Sequence, residues 1–275
     1  MKLILTALRQ EARPIIEGLE LKHDPASRKI PVYAREGTLL VVSGIGKLYA
    51  AVATAHAYHI AGQPENCHLF NIGMCGGATD NVQLGQALRI HKIWDAANGR
   101  EYFPDILLEM PLEDASLGTF DKPVKASNRP NLTCDLVDME ASGIFQAAHL
   151  FMSPLQMTFI KVVTDYLSFT PGDYPEMIRY FEESAESWLP ILKETVDLDL
   201  MNRVLSSDQE RFLSEVVKEM RFTKTQSLQL MEAAAGYVVR GGKDLEFFKP
   251  VLKIRPKHKS VRNEVFNSML KDLNR

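Results

Sequence analysis

The sequence predicts an α/β fold: a central, mostly parallel mixed sheet flanked by helices, followed by a small all-helical C-terminal appendage. Three observations carry this expectation. Short apolar runs of strand length alternate with longer segments of helical periodicity through residues 1–197. Beyond residue 198 the strand-like runs stop and helix-start signals follow one another. Charge changes at the same place: residues 201–275 hold 15 Lys+Arg against 9 Asp+Glu, a formal +6, while residues 1–200 stand at −9.

The elements follow in order. Residues 3–7 read as a short buried strand, and residues 10–19 as a helix. Residues 31–35 and 38–42 flank Glu36-Gly37, a hairpin signal. Gly44-Ile45-Gly46 breaks the chain before a helical stretch over 47–61. Residues 68–73 form the next buried strand, running into Gly76-Gly77, and 85–93 a further one. Residues 95–135, rich in Pro and polar side chains, give no clear element. A helix over 138–151, a strand over 156–164 and a long helix near 174–195 complete the body, which makes residues 1–197 one domain. In the appendage, 198–275, Ser207-Asp208-Gln209-Glu210 and Thr223-Lys224-Thr225-Gln226 match the capping-box pattern. Gly241-Gly242 reads as a helix stop and 260–273 as a final amphipathic helix.

Composition narrows the function classes. No segment approaches the length of a membrane span, and the apolar start Met1-Lys2-Leu3-Ile4-Leu5 is too short for a signal peptide. Three cysteines (Cys67, Cys75, Cys134) without paired spacing argue against disulfides or zinc and fit a reducing, cytoplasmic setting. His56 and His59 have no acidic or Cys partner at ligand spacing, so no metal is expected. Gly44-Ile45-Gly46-Lys47 lacks P-loop spacing. No cofactor is implied.

Carboxylates placed against hydrophobic runs carry the chemistry. Asp165 closes the run over 157–164, Glu140 sits in Val137-Asp138-Met139-Glu140-Ala141 at the start of a helical pattern, and Glu11 follows the first strand. Strand ends are where an α/β protein reaches a ligand. Three carboxylates without a metal cluster suit cleavage of a glycosidic bond to a base. Each has a plainer use: Asp165 as a turn cap, Glu140 at a helix dipole, and Glu11 on a solvated first turn.

Five stretches, in order, resemble the nucleoside phosphorylase/nucleosidase superfamily, most closely its 5′-methylthioadenosine/S-adenosylhomocysteine nucleosidase branch. They are Thr6-Ala7-Leu8-Arg9-Gln10-Glu11, Ser43-Gly44-Ile45-Gly46-Lys47, Asn71-Ile72-Gly73-Met74-Cys75-Gly76-Gly77, Val137-Asp138-Met139-Glu140-Ala141 and Val162-Val163-Thr164-Asp165. The resemblance implies a nucleoside phosphorylase-like fold and hydrolysis of a purine nucleoside, a 5′-modified adenosine. Phosphorolysis is the same-class alternative, and a nucleoside-binding or nucleic-acid-associated accessory protein the different-class one. It further implies that Asp165 protonates purine N7 and that Glu11 activates the attacking water. Glu140 would bind the ribose hydroxyls beside Met139 and Asp138. Met74, Cys75 and Gly76 would wall the base, with Thr164 beside the acid. A homo-oligomer is expected on the same ground.

Three departures stand out. Lys161 replaces the family's arginine, a point charge instead of a planar fork. Thr164 replaces a serine. The family's Ser-Gly-Asp-x-Phe segment corresponds to Thr119-Phe120-Asp121-Lys122-Pro123-Val124, so Pro123 takes the position of the base-stacking aromatic and Phe120 is the nearest substitute. In the appendage, the run Lys253-Ile254-Arg255-Pro256-Lys257-His258-Lys259 could contact nucleic acid, but a solvated linker is the simpler explanation.

Overall fold

The computed structural model describes residues 1–27, 29–64, 66–104, 110–168, 170–193, 205–239, 242, 245–254 and 258–273. The expected domain boundary, Gly241 of the helix stop and residues 255–257 of the basic run lie outside the described residues. The chain divides into two compact units, Met1–Val196 and Asp197–Arg275.

The first unit is built on one sheet. Its strands are β1 (Lys2–Thr6), β2 (Lys22–His23), β3 (Val32–Arg35), β4 (Thr38–Val42), β5 (His68–Gly77), β6 (Ala87–Asp95), β7 (Glu101–Tyr102), β8 (Glu113–Thr119), β9 (Leu136–Asp138) and β10 (Met157–Asp165). The spatial order is β10-β6-β8-β9-β5-β1-β4-β3-β2, and β10 also pairs with β5. Five strands, β5, β10, β6, β8 and β9, therefore close into a ring, and β1 to β4 extend it as an open wing. Closure removes edges that would otherwise expose unpaired backbone. The sheet is less parallel than expected. β1–β4, β1–β5, β10–β5, β6–β8 and β8–β9 are parallel, but β10–β6, β2–β3, β3–β4, β5–β9 and β6–β7 are antiparallel.

Helices cover both faces of the sheet because its strands are apolar on both. Leu3, Leu5, Leu69 and Phe159 pack with Ala50, Ala53 and Ala57 of α2 (Lys47–Ile60) and with Ile144 and Phe145 of α3 (Ala141–Ala148). Ile4, Phe70, Ile72 and Ile160 face the other way. They meet Ala12 and Ile15 of α1 (Arg9–Leu19), Phe181 of α4 (Tyr174–Glu183), and Trp188 and Leu192 of α5 (Ala185–Lys193). Period-2 alternation along each strand thus assigns its side chains to one layer or the other.

Three local expectations change. Asp138 ends strand β9 and does not open a helix; α3 begins at Ala141, whose N–H donates to Asp138 Oδ2 at 2.9 Å. The long helix near 174–195 breaks at Ser184, whose hydroxyl donates to the Phe181 carbonyl at 2.7 Å and accepts from Trp188 Nε1 at 2.9 Å. Such back-bonding competes with the helix ladder. Strand β8 was not legible because Glu113-Asp114-Ala115-Ser116-Leu117-Gly118-Thr119 is built largely from residues of low strand propensity.

The described part of the second unit carries α6 (Ser207–Met220), α7 (Lys224–Val239), a 3₁₀ segment over Glu246–Lys253 and α8 (Lys259–Leu273). The capping box of α6 starts one residue earlier than expected. Ser206 accepts from the Gln209 amide at 3.2 Å, and Gln209 Oε1 accepts from the Ser206 amide at 2.8 Å. At α7 the expected Thr223–Gln226 box forms, at 3.1 and 3.2 Å.

Candidate active site

A cavity of about 240 Å³ opens at the carboxyl ends of β1, β5, β9 and β10. Nine of the sequence-predicted residues line it: Glu11, Met74, Cys75, Gly76, Asp138, Met139, Glu140, Thr164 and Asp165. Lys161 and Phe120 do not line it.

Glu11 lies in the first turn of α1 and is almost fully buried. One carboxylate oxygen accepts the amides of Ala7 and Leu8, each at 2.8 Å, and the other accepts the Met74 amide at 2.8 Å. Burial lifts its pKa above the ordinary carboxylate value. The Met74 amide, the Lys161 charge and the amides of Leu8 and Ala7 pull it back.

Lys161 is on β10 beneath the cavity floor, 1% exposed, with its Nζ 2.9 Å from Asp138 Oδ2. A short side chain built on Gly73 would stand 3.4 Å from Lys161 Nζ and 3.1 Å from Glu11 Oε1, so glycine leaves room for the pair behind the strand. Burial works against the ammonium, but Asp138, Glu140 and Glu11 outweigh it and raise its pKa. Lys161 is therefore a buried cation paired with Asp138 and held charged by Glu140 and Glu11 as well.

Asp138 also accepts from Thr119 Oγ1 at 2.7 Å. Glu140 is the N-cap residue of α3 and is buried. Its Oε1 accepts the Gly46 amide at 2.9 Å, and Gly46 holds φ 105°, a conformation that favours glycine. Burial, then the Asp138 charge, push the Glu140 pKa up to about 7, against the pull of Lys161 and the Gly46 amide.

Asp165 closes β10. The β10–β5 register slips there: Val163 faces Cys75 and Asp165 faces Gly76, leaving Thr164 as an inserted residue. Bulges of this kind re-aim the side chain that follows. Here the bulge brings Asp165 Oδ1 to 3.6 Å from where a Gly76 Cβ would lie; such a Cβ would also stand 2.6 Å from a Leu167 methyl, so any larger residue would force the Leu167 side chain to shift. Asp165 Oδ1 accepts the Leu167 amide at 2.6 Å. Burial raises its pKa, opposed by the Leu167 and Ser168 amides.

Phe120 does not line the cavity; it packs edge-on against Trp94, with ring centroids 5.8 Å apart, and beside Ala78, Cys134, Val137 and Leu167. Lys122, Pro123 and Val124 line the rim in its place. The remaining wall comes from Ala7, Leu8, Ile45, Val137, Leu167, Tyr174 and Met177, none of which sequence reasoning singled out. Ile45 had a usable signal: it sits between Gly44 and Gly46, both at positive φ, and is 53% exposed. Tyr174 and Met177 had none, because the packing of α4 on β10 brings them there. Burial keeps the Cys75 thiol protonated. Among the described residues no cluster of His, Cys, Asp or Glu has metal-binding geometry, and no arginine lines the cavity.

No protein-family model matches the chain, and no curated protein does. Solved structures do. The apo 5′-methylthioadenosine nucleosidase of Arabidopsis thaliana superposes with a TM-score of 0.58 at 18% identity, covering 72% of this chain and 97% of that one. The 5′-methylthioadenosine/S-adenosylhomocysteine nucleosidase of S. pneumoniae, solved with a transition-state inhibitor, gives 0.58 at 19% identity over 70% and 99%. That of Colwellia psychrerythraea, in complex with adenine, gives 0.56 at 18% over 68% and 92%. Through most of its length this chain carries the fold of the 5′-methylthioadenosine/S-adenosylhomocysteine nucleosidases.

Proposed function

We propose that this chain is an N-ribosyl hydrolase that cleaves the glycosidic bond of a purine nucleoside, a 5′-modified adenosine such as methylthioadenosine or S-adenosylhomocysteine, and releases the base. The observation that carries this is the meeting of Glu11, Glu140 and Asp165, each from a different strand end or helix start, in one cavity with mostly apolar walls. The fold of nucleosidases that bind adenine or a transition-state inhibitor supports it.

Bond cleavage builds positive charge on the ribose and negative charge on the base. Asp165, its pKa raised by burial, donates a proton to the purine as the base departs. Glu140, ionised, accepts the ribose hydroxyls and stabilises the developing cation. Glu11 takes the proton of the attacking water; its backbone amides hold it in one orientation. Lys161 keeps Asp138 in place beneath them. Water is preferred to phosphate because no arginine lines the cavity among the described residues.

Residues 1–197 act as the catalytic domain and 198–275 as a helical appendage without an assigned role in the chemistry. The chain works in the cytoplasm as a homo-oligomer. Leu48, Tyr49 and Val52, exposed on α2 beside Ile45, supply an apolar face for a second copy. No described helix is long and apolar enough to cross a membrane.

The test is to incubate the chain with methylthioadenosine, S-adenosylhomocysteine, adenosine and inosine, with and without phosphate, and measure free base. Adenine release without phosphate is expected. Release that depends strictly on phosphate makes it a phosphorylase; binding without release makes it an accessory protein.

A further inference from the structure

Lys47 opens α2, one residue after the glycine that holds Glu140. Its Nζ lies 2.9 Å from Asp95 Oδ1 and 2.9 Å from Asp121 Oδ1. These two partners differ in kind. Asp95 is buried at the end of β6, and it also accepts from Ser142 Oγ at 3.0 Å, the Ala97 amide at 2.9 Å and Gln146 Nε2 at 3.3 Å. Asp121 is 61% exposed and belongs to the segment after β8 whose next residues, Lys122, Pro123 and Val124, form the cavity rim.

Little else holds that rim. The Phe120 amide is bonded to the Asp138 carbonyl at 2.9 Å, and Val124 packs beside Ala78, Val137 and Leu167. Between them, among the described residues, no amide of residues 121–125 donates to a backbone carbonyl. When Asp121 swings away, Lys47 keeps its pair with Asp95, so opening strands no buried charge.

We propose that the Lys47–Asp121 ion pair is a latch on the cavity rim. Lys47 is then a positioning residue that sets how tightly the nucleoside is held, with bond cleavage left to the carboxylates; this rests on the nucleosidase reading above. Lys47 is 16% exposed but its partner Asp121 is 61% exposed, so the pair meets solvent through the carboxylate, is modest in strength and is screened by salt, which gives the latch its signature.

Asp121→Asn, which touches neither the carboxylates nor the lining, raises KM for methylthioadenosine roughly threefold to fivefold and leaves kcat within about twofold. The wild-type KM rises between about 50 mM and about 0.5 M salt, the Asp121→Asn KM stays flat, and Asp121→Glu restores the wild-type response. Trypsin nicks after the exposed Lys125 faster in Asp121→Asn than in wild type. An unchanged KM with the salt response retained, or a fall in kcat in its place, overturns the latch. Should wild type release no base, the nucleosidase reading fails by itself. Cleavage after Lys125 then decides: faster nicking in Asp121→Asn supports the latch and an equal rate overturns it.

Discussion

The two sides of the cavity are held by different means. On the ribose side Glu11 accepts three backbone amides, Asp138 is bonded to Thr119, Ala141 and Lys161, and Glu140 is bonded to Gly46. These partners come from ring strands and the start of α3 (Met74, Thr119, Lys161, Ala141) and from the segments that follow β1 and β4 (Ala7, Leu8, Gly46). On the base side, among the described residues, no amide of the rim over 121–124 donates to a backbone carbonyl, and Asp165 leans on amides of its own turn. The first side is preorganised by the sheet and the second by a loop. Charge stabilisation gains from rigidity, whereas recognition of one base over another can be adjusted on a loop without disturbing it.

The largest effect should come from the carboxylate of the base side. Asp165→Asn keeps the size of the side chain but removes its proton, so kcat should fall by roughly 10²–10⁴-fold with the circular dichroism unchanged. An active variant would show that the acid lies elsewhere and that the base side carries no chemistry. Next, Lys161→Met should cost about 3–5 kcal/mol in denaturant unfolding, because Asp138 is then left buried and unpaired. A loss below about 1 kcal/mol would mean that the ribose side is not held by this network.

The same contrast explains what could be read without coordinates. Glu11, Glu140 and Asp165 were legible because each adjoins an apolar run long enough to declare its own strand or helix. The pairing of Lys161 with Asp138 was not, since it joins two strands through the ring closure and leaves no local pattern. Asp138 was assigned to a helix because Ala141-Ser142-Gly143-Ile144-Phe145 continues its apolar pattern; the strand ending at Asp138 is set by pairing with β5 and β8. On the base side, strand β8 leaves no sequence pattern, and with it goes the position of Phe120, which packs against Trp94 and beside Val137 and Leu167. Non-local pairing decided these points, and propensity had no hold on them.

The pH dependence should separate the two sides without mutation. In the proposed mechanism Glu140 is ionised to hold the ribose, and its pKa stands at about 7, so kcat/KM should fall as pH drops through this value. Asp165 must be protonated, so kcat/KM should fall again as pH rises past its own raised value. Because the carboxylates interact, both limbs belong to the group. Stability has its own sign. Between the ordinary Glu value of 4.5 and about 7, the folded state holds a proton that the unfolded state has lost. Stability therefore declines as pH rises through that window, and the full cost is present above it. Glu140→Gln should raise Tm by a few degrees at about pH 8.5 and leave it unchanged near pH 4. Equal Tm values at both pH values would show that burial of the ionised group is not a cost.

The smallest effect tests the loop-held side alone. Pro123 lines the rim where the sequence resemblance expects an aromatic ring over the base. Pro123→Phe restores a stacking face and adds about 0.5–1.5 kcal/mol, so KM for adenine nucleosides should fall roughly twofold to tenfold at constant kcat. Inosine should gain similarly, because a ring stacks on any purine face. The residues that bond the ribose and move protons are untouched, so the pH profile should not shift. A change in kcat or in the acid limb would mean that the rim reaches Glu140 through the Lys47 turn, and that the two sides of the cavity are mechanically joined.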